Sequence, residues 1–452
     1  MAMQDLYFKL PTLAQNLACS FFGYRLISRR YSKAYLNLEK DCIGRDYLNE
    51  PDLRSFCAQR FCWLVRHAVE NVPYYNTLFN KLGLTIGDMK KTEDLIKLPI
   101  LSKEEVRKDP SRFIPNNISS YKTSIVKTSG TTGAGLVFPM TLEAEQEQWA
   151  VWWRYRRRFG LDRSTWYAHF YGKSIVPFEQ LKPPFWRINY PGKQIFFSAY
   201  HMATENLASY VVALNRYQPP WIQGYPSLLA ILADYILSSG NFLNYTPKAV
   251  TLGSESLMPH QKHKIEIAFK IKCHQHYGMA EASANISECA FGKLHVDEDF
   301  GHIEFIPNEY GTYDIVSTGY SNKAFVLLRY KVGDTATLDD HRCPCGRLGR
   351  IVGSIDGRIE DYIVTTDGRK IGRLDHIVKD MVNIKECQII QESLERIVIK
   401  VVKGLTYNNV DENKLMREAR KRIGKKINID IEYVREIERT TTGKLRFVVS
   451  RL

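Results

Sequence analysis

With 452 residues, 44% of them hydrophobic, the chain can form more than one core, and its length suggests two or three domains of ~100–200 residues each. No run approaches the ~18 apolar residues of a membrane-spanning helix. Lysine and arginine outnumber the acids 63 to 49, a formal charge of +14 that fits plain solubility or anionic partners, an acidic membrane face included. No Arg/Lys–aromatic repeat or nucleic-acid motif accompanies that charge, so it is not read as nucleic-acid binding. Nine cysteines, an odd number, are unlike a disulfide framework and fit a reducing compartment. The first residues lack the charged start, apolar core and small-residue cleavage site of a secretory leader, so a cytoplasmic location is expected.

At the start of the chain, Leu10, Leu13, Leu17, Phe21 and Tyr24 fall at helical spacing, and Arg25, Arg29, Arg30 and Lys33 follow at once. Residues 1–60 are therefore expected to form a helical extension. The stripe is expected to pack on the main domain, as such stripes usually do; the alternative is that it lies on an anionic membrane face. From residue 61 strands and helices alternate. Ser124-Ile125-Val126 reads as a strand, Glu143 to Phe159 as a helix bearing Trp149, Trp152, Trp153 and Tyr155, and Pro220–Gln223 as a short strand. Gly224-Tyr225-Pro226 then turns into a helix from Ser227 to Leu237, and Ala249–Leu252 is a strand leading into Gly253-Ser254-Glu255. This alternation implies largely parallel sheets with sites at strand ends. Between 302 and 338, His302–Ile306 and Phe325–Tyr330 suggest antiparallel strands instead. A boundary is expected near Gly357–Asp361. Beyond it come strands at Cys387–Gln391, Arg396–Val402 and Ile427–Val434 and a charged helix at Asp411–Ile423, an α+β unit with 21 Lys/Arg against 15 Asp/Glu from residue 358. The expected division is 1–60, 61–356 and 357–452, with a fold that is α/β in its large part and α+β at its end.

Four short patterns carry chemistry. Lys127–Gly135 packs three glycines and four hydroxyls into nine residues, suited to a backbone that wraps a phosphate, although no Gly-Lys-Ser/Thr closes it as in a Walker loop. His276–Glu281 offers Tyr277 to stack on a base and Glu281 to hold a metal; magnesium on a nucleotide takes one or two carboxylates plus phosphate oxygens. Tyr330–Asp334 runs a strand into a turn whose carboxylate can accept ribose hydroxyls. Arg439–Arg446 carries Lys444 on a glycine loop, a point charge able to swing into a distant site. Each alone also reads as an ordinary turn or a solvated charge.

In this order, the Ser129-Gly130-Thr131-Thr132-Gly133 loop, Tyr277-Gly278-x-x-Glu281, Tyr330-x-x-Gly333-Asp334, Gly357-Arg358 and Gly443-Lys444 resemble the adenylate-forming superfamily of acyl-CoA synthetases, from about residue 60 to the end. The chain looks most like the phenylacetate–CoA ligase family and, within it, the CapK-like capsular-polysaccharide and coenzyme F390 synthetase-like members. Leu10–Asn16, Gln223-Gly224-Tyr225-Pro226-Ser227 and Cys343-Pro344-Cys345-Gly346 fit that branch. The resemblance implies ATP-dependent activation of a carboxylic acid to an acyl-adenylate, release of pyrophosphate, and transfer to CoA. It implies that Glu281 holds Mg²⁺, that Ser129, Thr131 and Thr132 hold phosphates with Gly130 and Gly133 around them, and that Tyr277 meets the adenine and Asp334 and Arg358 the ribose. Ser254, Glu255, Gly278 and Met279 complete the nucleotide site. Lys444 serves adenylation, and Glu360 is the pivot of a small C-terminal domain that rotates between half-reactions. Two departures bear on this. Ala134-Gly135-Leu136 stands where the family continues with Pro-Lys, and Ala280 replaces a phosphate-facing Thr or Ser, which puts the rate or the carboxylate partner in doubt.

Two further activities stay open: nucleotidyl transfer that leaves AMP on a hydroxyl, as in the coenzyme F390-like members, and a degenerate scaffold in a capsule-assembly complex. A separate constellation, Cys289, His295, Cys343 and Cys345, makes a closed Cys₃His set suited to structural zinc, against the plainer reading of four unrelated residues; members of the resembled branch include such sites. The other cysteines read as packing residues. Trp166, Tyr167, Phe170, Tyr171 and Trp186 either line an aromatic acyl pocket or populate the core. The identity of the acid and the oligomeric state, a dimer among the options, are not legible.

Overall fold

The computed structural model describes residues 2–128, 136–309, 311–356, 362–371, 374–378, 381, 383–404, 406–438 and 446–452. Helices open the chain: α1 (Ala2–Lys9), α2 (Thr12–Arg30), α3 (Lys33–Gly44), α4 (Glu50–Asn71), α5 (Pro73–Leu82) and α6 (Lys103–Lys108). Side chains set their starts. Ser32 accepts from the Tyr35 N–H at the head of α3, and Asn49 accepts from Asp52 at the head of α4, where Pro51 needs no donor of its own.

The leucine stripe of α2 does not pack on the main domain. Leu13, Leu17, Phe21 and Tyr24 are 79%, 70%, 59% and 62% exposed, and only Gln15 and Gly23 of this helix are buried. The helix uses its other, polar face. Asn16 Oδ1 accepts from the Ile188 N–H at 2.9 Å, and Ser20 Oγ meets both the Ile188 carbonyl and the Tyr190 N–H. Those backbone groups belong to or adjoin the strand Trp186–Asn189 at the edge of the large sheet, so satisfying that edge decides which way the helix turns. Gly23 permits the contact: a Cβ there would lie 2.0 Å from Asn189 Oδ1.

A short hairpin, β1 (Thr123–Lys127) with β2 (Val137–Thr141), precedes α7 (Leu142–Arg157). The large sheet then takes β3 (Tyr167–Tyr171), β4 (Trp186–Asn189), β5 (Gln194–Ser198), β6 (Trp221–Gly224), β7 (Ala249–Gly253), β8 (Cys273–Gly278), β9 (Asn285–Glu288), β10 (Leu294–Val296), β11 (Gly301–Pro307), β12 (Tyr313–Gly319), β13 (Tyr330–Leu338) and β14 (Ile351–Asp356). Helices α8 (Thr204–Tyr217), α9 (Pro226–Ser239) and α10 (Pro259–Phe269) connect the strands of its first half. The order is β11-β12-β13-β14-β10-β9-β8-β7-β6-β3-β5-β4. Neighbours from β8 to β5 run parallel; from β8 to β11 they are antiparallel, as the change of sequence pattern past residue 300 suggests. The strand expected at Phe325–Tyr330 begins only at Tyr330. Arg329 has φ 53, which no strand accommodates, and the residues before it send backbone N–H groups to side chains instead: Leu328 to Tyr75 Oη and Arg329 to Thr318 Oγ1. The apolar run is buried as a loop, with Phe325 stacked on Phe138.

The C-terminal unit has the small hairpin β15 (Ile363–Val364) and β16 (Lys370–Ile371), then β17 (Ile384–Ser393), β18 (Arg396–Lys403), α11 (Asn409–Ile423), β19 (Asn428–Tyr433) and β20 (Val448–Ser450), with sheet order β19-β18-β17-β20. Leu415 and Ala419 of α11 pack on Ile389, Ile397 and Ile399, and Tyr200 from the large sheet's side joins that core.

Candidate active site

The chemistry-bearing turn follows β8, the strand at which parallel pairing gives way to antiparallel. Tyr277 and Gly278 end this strand, and Met279, Ala280 and Glu281 follow. Helix α7 holds the turn in place: Gln148 Nε2 donates to the Met279 carbonyl at 2.5 Å, and Trp152 Nε1 donates to Asn285 Oδ1 at 3.1 Å. A Cβ on Gly278 would come within 3.2 Å of Trp152 Nε1. A cavity of about 250 Å³ lies here, and Ser254, Glu255, Tyr277, Gly278, Met279, Ala280, Glu281 and Asp334 all line it.

Asp334 reaches this cavity from β13, which stands four strands away from β8 in the sheet order. In a flat sheet that separation is roughly 19 Å. Yet Tyr277 Oη donates to Asp334 Oδ2 at 2.9 Å, so the antiparallel half curls over the end of the parallel half. The turn expected after Tyr330 is instead a bulge inside β13: pairing with β12 skips residues 332–334, and Gly333, at φ 90, lets the bulge present the carboxylate. Glu281 is buried beside Tyr330, whose hydroxyl burial holds well above its usual range, with Glu281 adding to the effect. Ser254 has φ 67, a left-handed conformation uncommon outside glycine, at the edge of the cavity. Glu255 also serves the scaffold. Its carboxylate accepts from the backbone N–H and hydroxyl of Ser227, at 3.0 and 3.1 Å, which caps α9 where the helix leaves four N–H groups unpaired. The expected residues Ser129, Gly130, Thr131, Thr132, Gly133, Arg358, Glu360 and Lys444 lie outside the described residues. The feet of the glycine loop are described: Thr128 N–H donates to the Leu136 carbonyl at 2.9 Å, and Leu136 N–H donates to Thr128 Oγ1 at 2.8 Å.

Sequence reasoning did not single out Lys103, at the start of α6, which brings a cation to the cavity from a distant part of the chain. It also passed over His276 as a group in its own right. This ring sits against Trp152 and Tyr155, and burial pushes its pKa down to about 3, with Arg156 nearby acting in the same direction, so the imidazole is neutral.

A larger cavity of about 1020 Å³ adjoins the first, sharing Ser254, His276, Gly278, Met279 and Ala280 with it. Its walls come from α1, α2, α7 and β3. Of the five aromatics expected there, only Tyr167 and Tyr171 line it, together with Trp149 and Trp152 of α7. Strand alternation explains the difference: residues 167, 169 and 171 of β3 face the cavity, while Phe170 points into the opposite core and stacks on Phe197. Trp186 packs near Phe197 and Tyr217, and Trp166 packs against Tyr190.

The hairpin of β9 and β10 brings Cys289 and His295 together, and the turn between β13 and β14 delivers Cys343 and Cys345 to the same point. The four candidate ligand atoms lie within 4.8 Å of one another. Cys289 Sγ is 3.6 Å from Cys343 Sγ, too far for a disulfide, and Cys345 Sγ is 3.4 Å from His295 Nε2. Tetrahedral sulfur ligands at Zn–S ≈ 2.3 Å stand about 3.8 Å apart, so the donor set and its spacing fit zinc.

Residues 363–451 match the CapK C-terminal domain. Over 99% of both chains the sequence is 27% identical to Protein CapK of Staphylococcus aureus. These matches make the chain similar to the CapK-like, phenylacetate–CoA ligase-like branch of the adenylate-forming superfamily. Against phenylacetate-coenzyme A ligase of Aromatoleum evansii, another relative of this branch, identity is 24% over 70% of this chain and 72% of that one. The superfamily fold is also that of 2-hydroxyisobutyryl-CoA ligase, solved with 2-HIB-AMP and CoA, which superposes with a TM-score of 0.57 over 90% of this chain and 91% of that chain at 18% identity.

Proposed function

We propose that the smaller cavity binds ATP and that the chain activates a carboxylic acid held in the larger one, then passes the acyl group to CoA. The observation that carries this is the junction of the two cavities at Gly278–Ala280, where an acid carboxylate held in one would meet the α-phosphate of a nucleotide held in the other. One carboxylate oxygen attacks the α-phosphorus, the bond to the bridging oxygen of pyrophosphate breaks, and acyl-AMP forms. The thiol sulfur of CoA then attacks the acyl carbon, and AMP leaves. Displacement at phosphorus asks a protein chiefly for positioning and charge neutralisation. Here Glu281 would hold Mg²⁺, which would neutralise phosphate charge, Tyr277 would face the adenine, and Asp334 would accept from the ribose. The glycine loop, Arg358 and Lys444 take the phosphate, ribose and adenylation roles of the superfamily. The unit from residue 357 turns about Glu360 against the body formed by 61–356.

A basic cavity of about 1020 Å³ beside α11, lined by Arg417, Arg420, Lys421, Lys425 and Lys426 among others, supports a polyanionic acceptor such as CoA. The Cys₃His cluster holds structural zinc and ties the β9–β10 hairpin to the turn before β14. The exposed α2 stripe, with Arg25 and Lys33 beside it, supports peripheral contact of the 1–60 extension with an anionic membrane face, as a role in polysaccharide assembly would use. The test is pyrophosphate exchange into ATP over a panel of carboxylic acids, with and without CoA. Acid-dependent exchange with thioester formed only when CoA is present is the expected result. A stable AMP-linked hydroxyl product without thioester would establish nucleotidyl transfer instead, and no exchange with any acid would leave a scaffold.

A further inference from the structure

Arg156 is 5% exposed, on the last turn of α7, and lines the larger cavity. Its guanidinium lies 4.8 Å from the ring centre of Trp153, 5.1 Å from Trp221 and 5.4 Å from Trp149. Aromatic faces attract a cation, but they do not satisfy the five N–H donors of a guanidinium. Among the described residues Arg156 has no ion pair and its side chain no hydrogen bond. The neighbouring arginines are treated differently: Arg154 reaches Asp297 and Asp299, and Arg158 reaches Asp46. A buried cation without an acceptor is costly, and the cavity beside it is where an acceptor has room.

The rest of the cavity has the same sign. Among the described residues, no Asp or Glu lines it. Arg30 is neutralised by Glu145 at 3.1 Å. Lys173 Nζ also faces the cavity, 4.7 Å from the centre of the Phe196 ring, and burial holds its pKa down, Arg30 adding to this. Position along α7 separates Arg156 from the reacting end. Gln148 and Trp152 touch the Met279 and Gly278 turn. The Cα of Arg156 lies four residues beyond Trp152 and eight beyond Gln148, ~6 and ~12 Å at the helical rise, and its guanidinium turns back along the helix to 5.4 Å from the Trp149 ring.

We infer that Arg156, with Lys173, binds a second anionic group on the acid, so that the cavity takes an aromatic carboxylic acid carrying a carboxylate, sulfate or phosphate at its far end. One ring between the two acidic groups spans this separation. This rests on the reading of the two cavities given above.

The experiment compares 4-carboxyphenylacetate with phenylacetate in pyrophosphate exchange, and in quenching of tryptophan fluorescence without ATP, for the wild type, Arg156→Met and Arg156→Lys, each checked by circular dichroism. The wild type should favour the dianion by at least about tenfold in kcat/KM, and Arg156→Met should lower that preference by about 10²-fold, Arg156→Lys by less. Equal loss for both acids would show that Arg156 holds the reacting carboxylate or only the fold, and would overturn the inference, as would a wild type indifferent to the second charge. If no acid supports exchange, the adenylation reading fails, and the quench alone decides: tighter binding of the dianion, weakened in a folded Arg156 variant, sustains the anion site, and no binding ends it.

Discussion

The hydrogen bond from Tyr277 to Asp334 spans the curl of the sheet, and it gives a quantitative expectation. Tyr277→Phe keeps the ring and removes only the donor. A hydrogen bond to a charged acceptor contributes ~1.5–3 kcal/mol, and since both side chains are half-buried the low end applies. About 1.5 kcal/mol is roughly a tenfold weakening of ATP binding. Asp334→Ala removes the carboxylate that the ribose and Tyr277 share and should cost more, about 10²-fold or above. If the hydroxyl acts only by aiming Asp334, the double variant should be no worse than Asp334→Ala, because the coupling equals the whole Tyr277→Phe effect. ATP affinity by calorimetry and pyrophosphate exchange both read this out. Strictly additive losses would refute the reasoning and give the Tyr277 hydroxyl a contact of its own with the nucleotide.

Elemental analysis should find about one zinc per chain, and Cys343→Ser should lower both zinc content and the melting temperature; a folded, metal-free chain with unchanged melting would remove the zinc assignment. Leu17→Glu combined with Phe21→Glu should leave melting unchanged, since both side chains are exposed, yet abolish co-sedimentation with phosphatidylserine vesicles; undiminished binding would exclude this face. Arg154→Met should destabilise by about 3 kcal/mol at neutral pH, because it removes the one cation that Asp297 and Asp299 share and leaves them only Arg347 and Arg45 respectively. Burial alone would raise both carboxyls, but Arg154 holds them below the usual carboxylate range in the wild type, so their stabilising contribution is present above the unfolded pKa and lost as pH falls through the folded values. In the variant the folded values rise, with Arg347 and Arg45 still lowering them in part, and the stability gap to the wild type should narrow on acidification. A gap independent of pH would contradict this.

The sequence made the local signals plain. Glycine, proline and hydrophobic period located α7, α9, β6, β7 and, in the C-terminal unit, β17, β18, β19 and α11 but not the short strands β15, β16 and β20, and the order of short motifs pointed to the superfamily. What it did not carry was direction. The leucines of α2 read as a core face because their spacing is that of a core face, but the backbone groups of an edge strand outcompeted them, and those groups leave no mark in residue identity. Phe325–Tyr330 read as a strand because a buried loop and a buried strand have the same composition; Arg329 in a left-handed conformation is a feature of the assembled neighbourhood. Tyr167 and Phe170 were equal candidates for the pocket until the strand assigned them to opposite faces. Lys103 and Arg156 were invisible as site residues because their importance depends on which partners are near them, and only the folded chain states that.

The pairing of α2 with the edge of β4 has a consequence for how copies of the chain behave toward each other. Without residues 12–30, the Ile188 N–H and carbonyl and the Tyr190 N–H would lose the Asn16 and Ser20 side chains that close them off. An open strand at the end of a twelve-stranded sheet is a template for another strand. A shortened chain is expected to self-associate, strand against strand, as well as to lose one wall of the larger cavity. Helix α2 is thus a guard against that association as much as a wall of the acyl cavity.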